Sequence, residues 1–211
     1  MHNIGKGLLL IRQRKEVNGM DTSVDISAIH IITRRLVLRP IAMDDLADVY
    51  AYASVPGVGE MAGWKHHESM EETEAILQSM IAQKEALAVV YKADQKMIGT
   101  LGLHPVGEEE TEAYPQYRMR EIGYVLSKAY WGQGLMPEAV RAVIRYCFDT
   151  LKLDGLSCCH FLENSQSRRV IEKCGFRYFT QGKFVAKRLN KTFDDIHYIL
   201  LREEWTDNGT D

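Results

Sequence analysis

Apolar residues recur along this chain in two rhythms. Val140, Val143, Ile144, Cys147, Phe148 and Leu151 come every three or four residues, the period of a helix that buries one face. Leu46, Val49, Tyr50 and Ala53 form a similar stripe after Asp44 and Asp45, and Val55-Pro56-Gly57 ends it. Ala75, Ile76, Met80 and Ile81 form another after Ser69 and Glu72, whose spacing is that of a capping box. Elsewhere the runs are short and strand-like. They are Ile31 to Arg39 (stopped by Pro40), Ala86 to Tyr91, Lys96 to Leu103, Met119 to Leu126, Leu156 to Phe161, and the segments around Phe179 and Phe193 to Leu200. Lys92 to Gln95 is a polar turn that makes the second and third of these a hairpin. Asn164 opens a short helix through Cys174, and Gly175 suits the left-handed position beyond it. Gly107 to Arg118 is charged and without period, which predicts a surface loop.

The pattern predicts one domain over residues 29–205, with an N-terminal arm over 1–28 and a C-terminal tail over 206–211. The arm shows no sustained period; an alternative start at Met20 and packing on a neighbour both stay open. Its apolar run, Leu8 to Ile11, is too short for a signal-peptide core or a membrane span, which predicts a cytoplasmic protein. A net charge of -3 offers no general attraction to nucleic acid or to a membrane. The cysteines, Cys147, Cys158, Cys159 and Cys174, form no Cys-x-x-Cys pair and read as small buried hydrophobes rather than as a zinc site.

Chemistry concentrates between the strand at Met119 to Leu126 and the helix that follows. There the chain reads Trp131-Gly132-Gln133-Gly134-Leu135-Met136, with Pro137 suited to a first helical turn. A helix start leaves N–H groups without partners at the positive end of the dipole, and glycines let the backbone approach a phosphate closely. The stretch reads as an anion cradle, although a tight turn before an ordinary helix would look the same. A P-loop would need Gly-Lys-Ser/Thr where Gly134-Leu135-Met136 stands, which argues against ATP. A dinucleotide fingerprint would need a third glycine and an earlier place in the chain.

The stretch fits in part the Arg/Gln-x-x-Gly-x-Gly/Ala pyrophosphate loop of the GNAT acetyltransferases, with Trp131 and Met136 departing from the pattern and Glu138-Ala139 following it. Thr33-Arg34-Arg35-Leu36-Val37-Leu38-Arg39-Pro40 resembles the opening strand of the branch that includes the ribosomal-protein alanine and serine N-acetyltransferases. Ile98 to Gly102 resembles that family's third strand. Asn164-Ser165-Gln166-Ser167 with Glu172-Lys173-Cys174-Gly175-Phe176 resembles its Asn-x-x-Ser…Glu-Lys-x-Gly-Phe element. The resemblance spans roughly residues 31–205. It implies an α+β fold with a mixed, mostly antiparallel sheet of six or seven strands, helices on both faces, and a splay between the fourth and fifth strands, here Met119 to Leu126 and Leu156 to Phe161. It implies acetyl-coenzyme A as co-substrate and no metal. Main-chain groups of Val125 and Leu126 would bind the pantetheine arm by strand addition. Gly132, Gln133, Gly134, Leu135 and Met136 would hold the pyrophosphate, and Asn164 the pantetheine from the other wall.

Such an enzyme moves an acetyl group to a primary amine, on a protein N-terminus or a small molecule. The amine must lose a proton, the oxyanion needs an N–H donor such as one near Val125, and the thiolate gains from an acid. Glu121 is the candidate base, because it shares a strand face with Gly123 and Val125, although a surface glutamate balancing Arg118 or Arg120 would read the same. The tyrosine acid of many family members would fall near Ile171, so Ser167 is the nearest hydroxyl, either as donor to the thiolate or as a cofactor contact. Trp64 either touches the acceptor or covers the core rim. Lys183, Lys187, Arg188 and Lys191 read either as solvated loop charges or as a basic cluster drawing an acidic peptide or nucleic-acid-bound protein to the acceptor mouth, and His66, His67 and His104 as surface or loop histidines. A non-catalytic acyl-coenzyme A sensor remains the alternative, and whether the chain forms a homodimer stays open.

Overall fold

In this computed structural model residues 24–206 are described. The apolar run Leu8 to Ile11, Met20 and nearly all of the expected C-terminal tail therefore lie outside the described residues.

Among the described residues there are five α-helices, four along apolar stripes and one short and acidic (α3): α1 (Leu46–Ala53), α2 (Met70–Gln83), α3 (Glu108–Ala113), α4 (Leu135–Asp149) and α5 (Ser165–Lys173). Ser69 caps α2 by accepting the Glu72 N–H at 3.1 Å. In α1 the buried stripe is Val49, Tyr52 and Ala53 rather than one running through Tyr50, which is half-buried. A 3-10 turn over Met43–Asp45 precedes this helix and delays its start to Leu46.

The strands are β1 (Ile31–Ile32), β2 (Leu36–Pro40), β3 (Ala86–Tyr91), β4 (Lys96–His104), β5 (Met119–Leu126), β6 (Gly155–Phe161), β7 (Arg177–Ala186) and β8 (Lys191–Leu201). They form one sheet in the order β1-β2-β3-β4-β5-β6-β8-β7. Among the described residues eight strands stand where six or seven were expected, because the run Ile31 to Arg39 is a hairpin rather than one strand. Thr33 makes the turn: its N–H donates to the Leu36 carbonyl at 3.0 Å, and its hydroxyl accepts the Leu36 N–H at 2.9 Å. A turn built by a threonine carries no glycine or proline to announce it.

All pairings are antiparallel except β5 with β6. A parallel neighbour needs a crossover, and α4 supplies it. Helix α4 packs its buried stripe, Val140, Val143, Ile144 and Cys147, with Leu36, Leu101, Ile122 and Leu156 in the main core. Ile26 is fully buried in the same core, with its N–H on the Lys84 carbonyl at 3.0 Å. Helices α1 and α2 cover the opposite face through Val49, Ile76 and Leu77 against Ala88 and Met97. Fully burying a Leu or Ile side chain contributes about 1.5–3 kcal/mol each, so these two layers fix where the sheet can open.

The predicted loop at 107–118 is in part helix α3. Its Glu110 is fully buried and accepts a hydrogen bond from His197 Nδ1 at 2.8 Å, while His197 Nε2 lies 3.3 Å from Asp195. A helix whose inward face is a carboxylate has no apolar period for a sequence reading to find.

Candidate active site

The pairing of β5 with β6 has three rungs: Met119 with Gly155, Arg120 with Leu156, and Glu121 with Ser157. Beyond Glu121 the two strands part, while β5 stays paired to β4 as far as Leu126 with Gly99. The splay therefore lies between the two segments that the resemblance implied, now the fifth and sixth strands in chain order. A pocket of about 210 Å³ fills it, lined among others by Val125, Leu126, Gly134, Met136, Asn164 and Ser167. Strand edge, glycine loop and α5 thus meet around one cavity. The Leu126 carbonyl is already engaged, accepting the Trp131 indole N–H at 2.7 Å.

At the far end of the slot the chain takes two left-handed steps, at Gly132 (φ 76°) and Gly134 (φ 73°), and α4 starts at Leu135. A side chain at either glycine would be strained. A Cβ at Gly132 would meet nothing within 4 Å, so the loop has open space on its outer side. The first-turn amides of α4 point out of the helix without intrahelical acceptors. These features fit a pyrophosphate group held by main-chain N–H groups at a positive helix end.

The loop is braced from below. Glu138, in the first turn of α4 and 5% exposed, accepts hydrogen bonds from the Thr33 hydroxyl (2.6 Å), the Arg35 N–H (2.8 Å) and Arg35 Nε (2.6 Å). Arg35 also donates to the Gln133 carbonyl at 2.8 Å. Burial pushes the Glu138 carboxyl upward, but the bonds from Thr33 and Arg35 outweigh it and hold its pKa below the ordinary value. Thr33 and Arg35 of the opening hairpin and Glu138 after the glycine loop, matched to the family separately in the sequence, are one structural unit.

Asn164 caps α5, its side-chain oxygen accepting the Ser167 N–H at 3.1 Å, and its amide donates to the Met61 carbonyl at 3.2 Å. It thereby ties the α5 start to the 60–62 turn across the slot. Glu60 staples that turn through the Gly57 N–H (2.6 Å) and the His66 ring (2.7 Å). Ser167 Oγ is 2.8 Å from the Tyr124 hydroxyl. Burial above all pushes the Tyr124 phenol well above its usual value, so it remains protonated. Tyr124 was not singled out in the sequence; in a strand that alternates it reads as one more inward apolar residue.

Glu121, Gly123 and Val125 lie on the face of β5 opposite Ile122 and Tyr124. Glu121 is half-buried, with Cys159 Sγ 4.0 Å from its carboxylate. Cys147, Cys158 and Cys174 are buried, and burial raises the thiols of Cys147 and Cys158. Trp64 packs against the α1–α2 core beside His67, with ring centroids 5.0 Å apart. His67 is buried against Thr73 at 2.9 Å, not on the surface. Burial first lowers its pKa, so it favours the neutral form. Arg188 lies 3.9 Å from Glu72, and Lys191 sits 4.2 Å over the Phe193 ring. Among the described residues no group of His, Cys, Asp and Glu side chains is arranged to hold a metal, and no helix is long and apolar enough to cross a membrane.

A sheet that splits along a main-chain edge leading to a glycine-rich helix start is the architecture of an acyl-group transferase. The profile of the acetyltransferase (GNAT) domain matches residues 35–177, and the chain belongs to that family as an N-acetyltransferase. It is 28% identical over 150 residues to the Bacillus subtilis protein named "Uncharacterized N-acetyltransferase YoaA", covering 69% of this chain and 81% of that one. Among solved structures, a GNAT-family acetyltransferase from Bacillus anthracis superposes with a TM-score of 0.70 at 25% identity, covering 83% of this chain and 99% of that one. The ribosomal-protein-S5-alanine acetyltransferase from Vibrio fischeri shares the fold, with a TM-score of 0.62 at 21% identity over 84% of this chain and 99% of that one.

Proposed function

We propose that this protein transfers the acetyl group of acetyl-coenzyme A to a primary amine by direct attack, in the cytoplasm and without a metal. The observation that carries the reading is the slot. Beyond Glu121 the β5 edge that faced β6 is open as far as Leu126, and it leads to the two left-handed glycines before α4. A pantetheine arm carries amides that complete a strand edge, and its pyrophosphate suits the helix start. Residues Gly132, Gln133, Gly134, Leu135 and Met136 would hold the pyrophosphate. Val125 would present main chain to the pantetheine and an N–H to the oxyanion. Asn164 would serve the pantetheine from the α5 side, which requires its amide to leave Met61.

In this scheme Glu121 takes the amine proton, directly or through water, on the face that also carries Gly123. Ser167 gives a proton to the leaving sulfur, and neutral Tyr124 at 2.8 Å replenishes or polarises it. The Vibrio fischeri neighbour's alanine acceptor makes a protein N-terminus the first acceptor to try, with small amines beside it. The test is thiol release from acetyl-coenzyme A with a panel of N-terminal peptides and small amines, with acetylated products weighed by mass spectrometry. Amine-dependent release is expected. Tight coenzyme A binding with no release for any amine would favour a sensor, and a thermal shift with ATP but not with coenzyme A would overturn the site.

A further inference from the structure

His104 ends β4, and its Cα pairs with Glu121 of β5. Its side chain, 21% exposed, folds back over two glycines that face each other across the strands, Gly102 and Gly123. A Cβ at Gly102 would lie 2.6 Å from His104 Nε2, and one at Gly123 would lie 3.1 Å from Cδ2 and 3.2 Å from Nε2. The two glycines therefore form a seat that only an unsubstituted backbone can offer an imidazole. Behind the ring, Nδ1 is buried and 3.7 Å from Glu85 Oε2, a charge contact too long for a hydrogen bond. Glu85 is in turn bound at 2.8 Å by Arg120, which is 2% exposed. Burial pushes Glu85 up, but His104 and Arg120 outweigh it and keep it ionised. The charged and titratable groups around the ring are thus Glu85 before β3, and Arg120 and Glu121 on β5.

The position matters more than the packing. Glu121, opposite His104 in the ladder, and Gly123 beneath its ring are both half-buried, whereas Val125 further along the same face packs against the α1–α2 core. Gly123 is the first β5 residue on that face beyond the last rung with β6. Nε2 sits over it, where an amine approaching a thioester in the slot would pass. Nε2 is a ring nitrogen able to accept a proton at that point, which general base catalysis of amine attack requires.

We infer that His104 is a proton-accepting catalytic residue of the acceptor site, seated on Gly102 and Gly123, with Glu85 and Arg120 as positioning residues and Glu121 as its neighbour. This rests on the acetyl-transfer reading above. One proton passes from the ammonium to Nε2, and the freed lone pair forms the C–N bond with the thioester carbon. The C–S bond then breaks, the nitrogen sheds its second proton to Glu121 while Ser167 gives one to the sulfur, the Glu121 proton restores Ser167 through water, and Nε2 returns its proton to solvent.

The experiment compares wild type, His104→Gln and Glu121→Gln in amine-dependent thiol release from pH 5 to 9, with coenzyme A affinity measured beside it. The expected result for His104→Gln is a fall in kcat of about 10²-fold, unchanged coenzyme A affinity, loss of the ascending limb an imidazole gives between about pH 5 and 8, and partial rescue by added imidazole. Wild-type turnover in His104→Gln, or lowered turnover with the limb intact and no rescue, overturns the role and leaves the acetyltransferase reading standing. No turnover by the wild type with any amine overturns both. Should His104→Gln fail to fold, Gly102→Ala pushes the ring off its seat while keeping it. The same lost limb is then expected, and a wild-type profile refutes the inference.

Discussion

Removing the Arg35 side chain should unsettle the glycine loop while leaving the loop's own residues unchanged. Arg35→Ala deletes two hydrogen bonds, one to Glu138 at 2.6 Å and one to the Gln133 carbonyl at 2.8 Å. It strands a carboxylate whose side chain is 6% exposed. Breaking one side of a buried ion pair costs about 3–5 kcal/mol, and a hydrogen bond to a charged group about 1.5–3 kcal/mol. Arg35 itself is 29% exposed, and the Thr33 hydroxyl and Arg35 N–H remain to satisfy Glu138. The lower end, about 3 kcal/mol, is therefore the expectation, or roughly 6–12 °C in Tm for a domain of this size. Coenzyme A affinity should fall by about tenfold, the loss of one tether of about 1.4 kcal/mol at the Gln133 carbonyl. Thermal melts and calorimetric titration read the two effects, and Arg35→Lys, which keeps the charge but not the fork, should fall between. The sign with pH follows from Glu138. Its folded pKa is lowered from 4.5, so its contribution is complete above that value and disappears as pH falls through the lowered one. The Tm gap between wild type and Arg35→Ala should accordingly narrow in acid. A melt within 2 °C of wild type together with unchanged coenzyme A affinity would refute the bracing role.

Two further outcomes bear on the slot. Gly134→Asp places a side chain at φ 73° and a negative charge beside the proposed phosphates, and coenzyme A binding should drop by at least about 10²-fold as judged by titration of a variant with native circular dichroism; unchanged affinity would move the site elsewhere. Ser167→Ala should lower kcat by about tenfold or more while Tyr124→Phe lowers it less, because the phenol acts through the serine hydroxyl 2.8 Å away; a larger effect at Tyr124 would make the phenol the direct donor.

The sequence disclosed what local chemistry encodes. The β5 strand, the paired glycines and the α4 stripe were legible because alternation, left-handed backbone and helical period each leave a mark within a few residues. So were Asn164 as a cap and Gly175, at φ 85°, beyond the end of α5. What escaped depends on residues distant in the chain. Thr33 and Glu138 are 105 positions apart, and neither signals the other. Helix α3 buries Glu110 against His197, 87 positions on, and so lacks an apolar face. His104 read as a loop histidine because its seat is made of glycines on two different strands. The hairpin at Thr33 was hidden by a side-chain-built turn within an apolar run.

The three-rung contact between β5 and β6 divides the sheet into two antiparallel blocks, β1–β5 and β6–β8, each laid down from neighbouring strands. Within a block the ladders have five to nine rungs, apart from the two-rung β1–β2 hairpin; between the blocks, among the described residues, the ladder is Met119, Arg120 and Glu121 against Gly155, Leu156 and Ser157. Such a seam is where main-chain cooperativity is weakest, and across it the blocks are held mainly by α4 and the core they share. A ligand lying in the slot supplies the absent rungs and binds only when both blocks are in place, which joins their fates by mass action. On the acetyl-transfer reading proposed above, occupancy of the slot by acetyl-coenzyme A would tighten the tie between the two blocks and so add to the stability of the second.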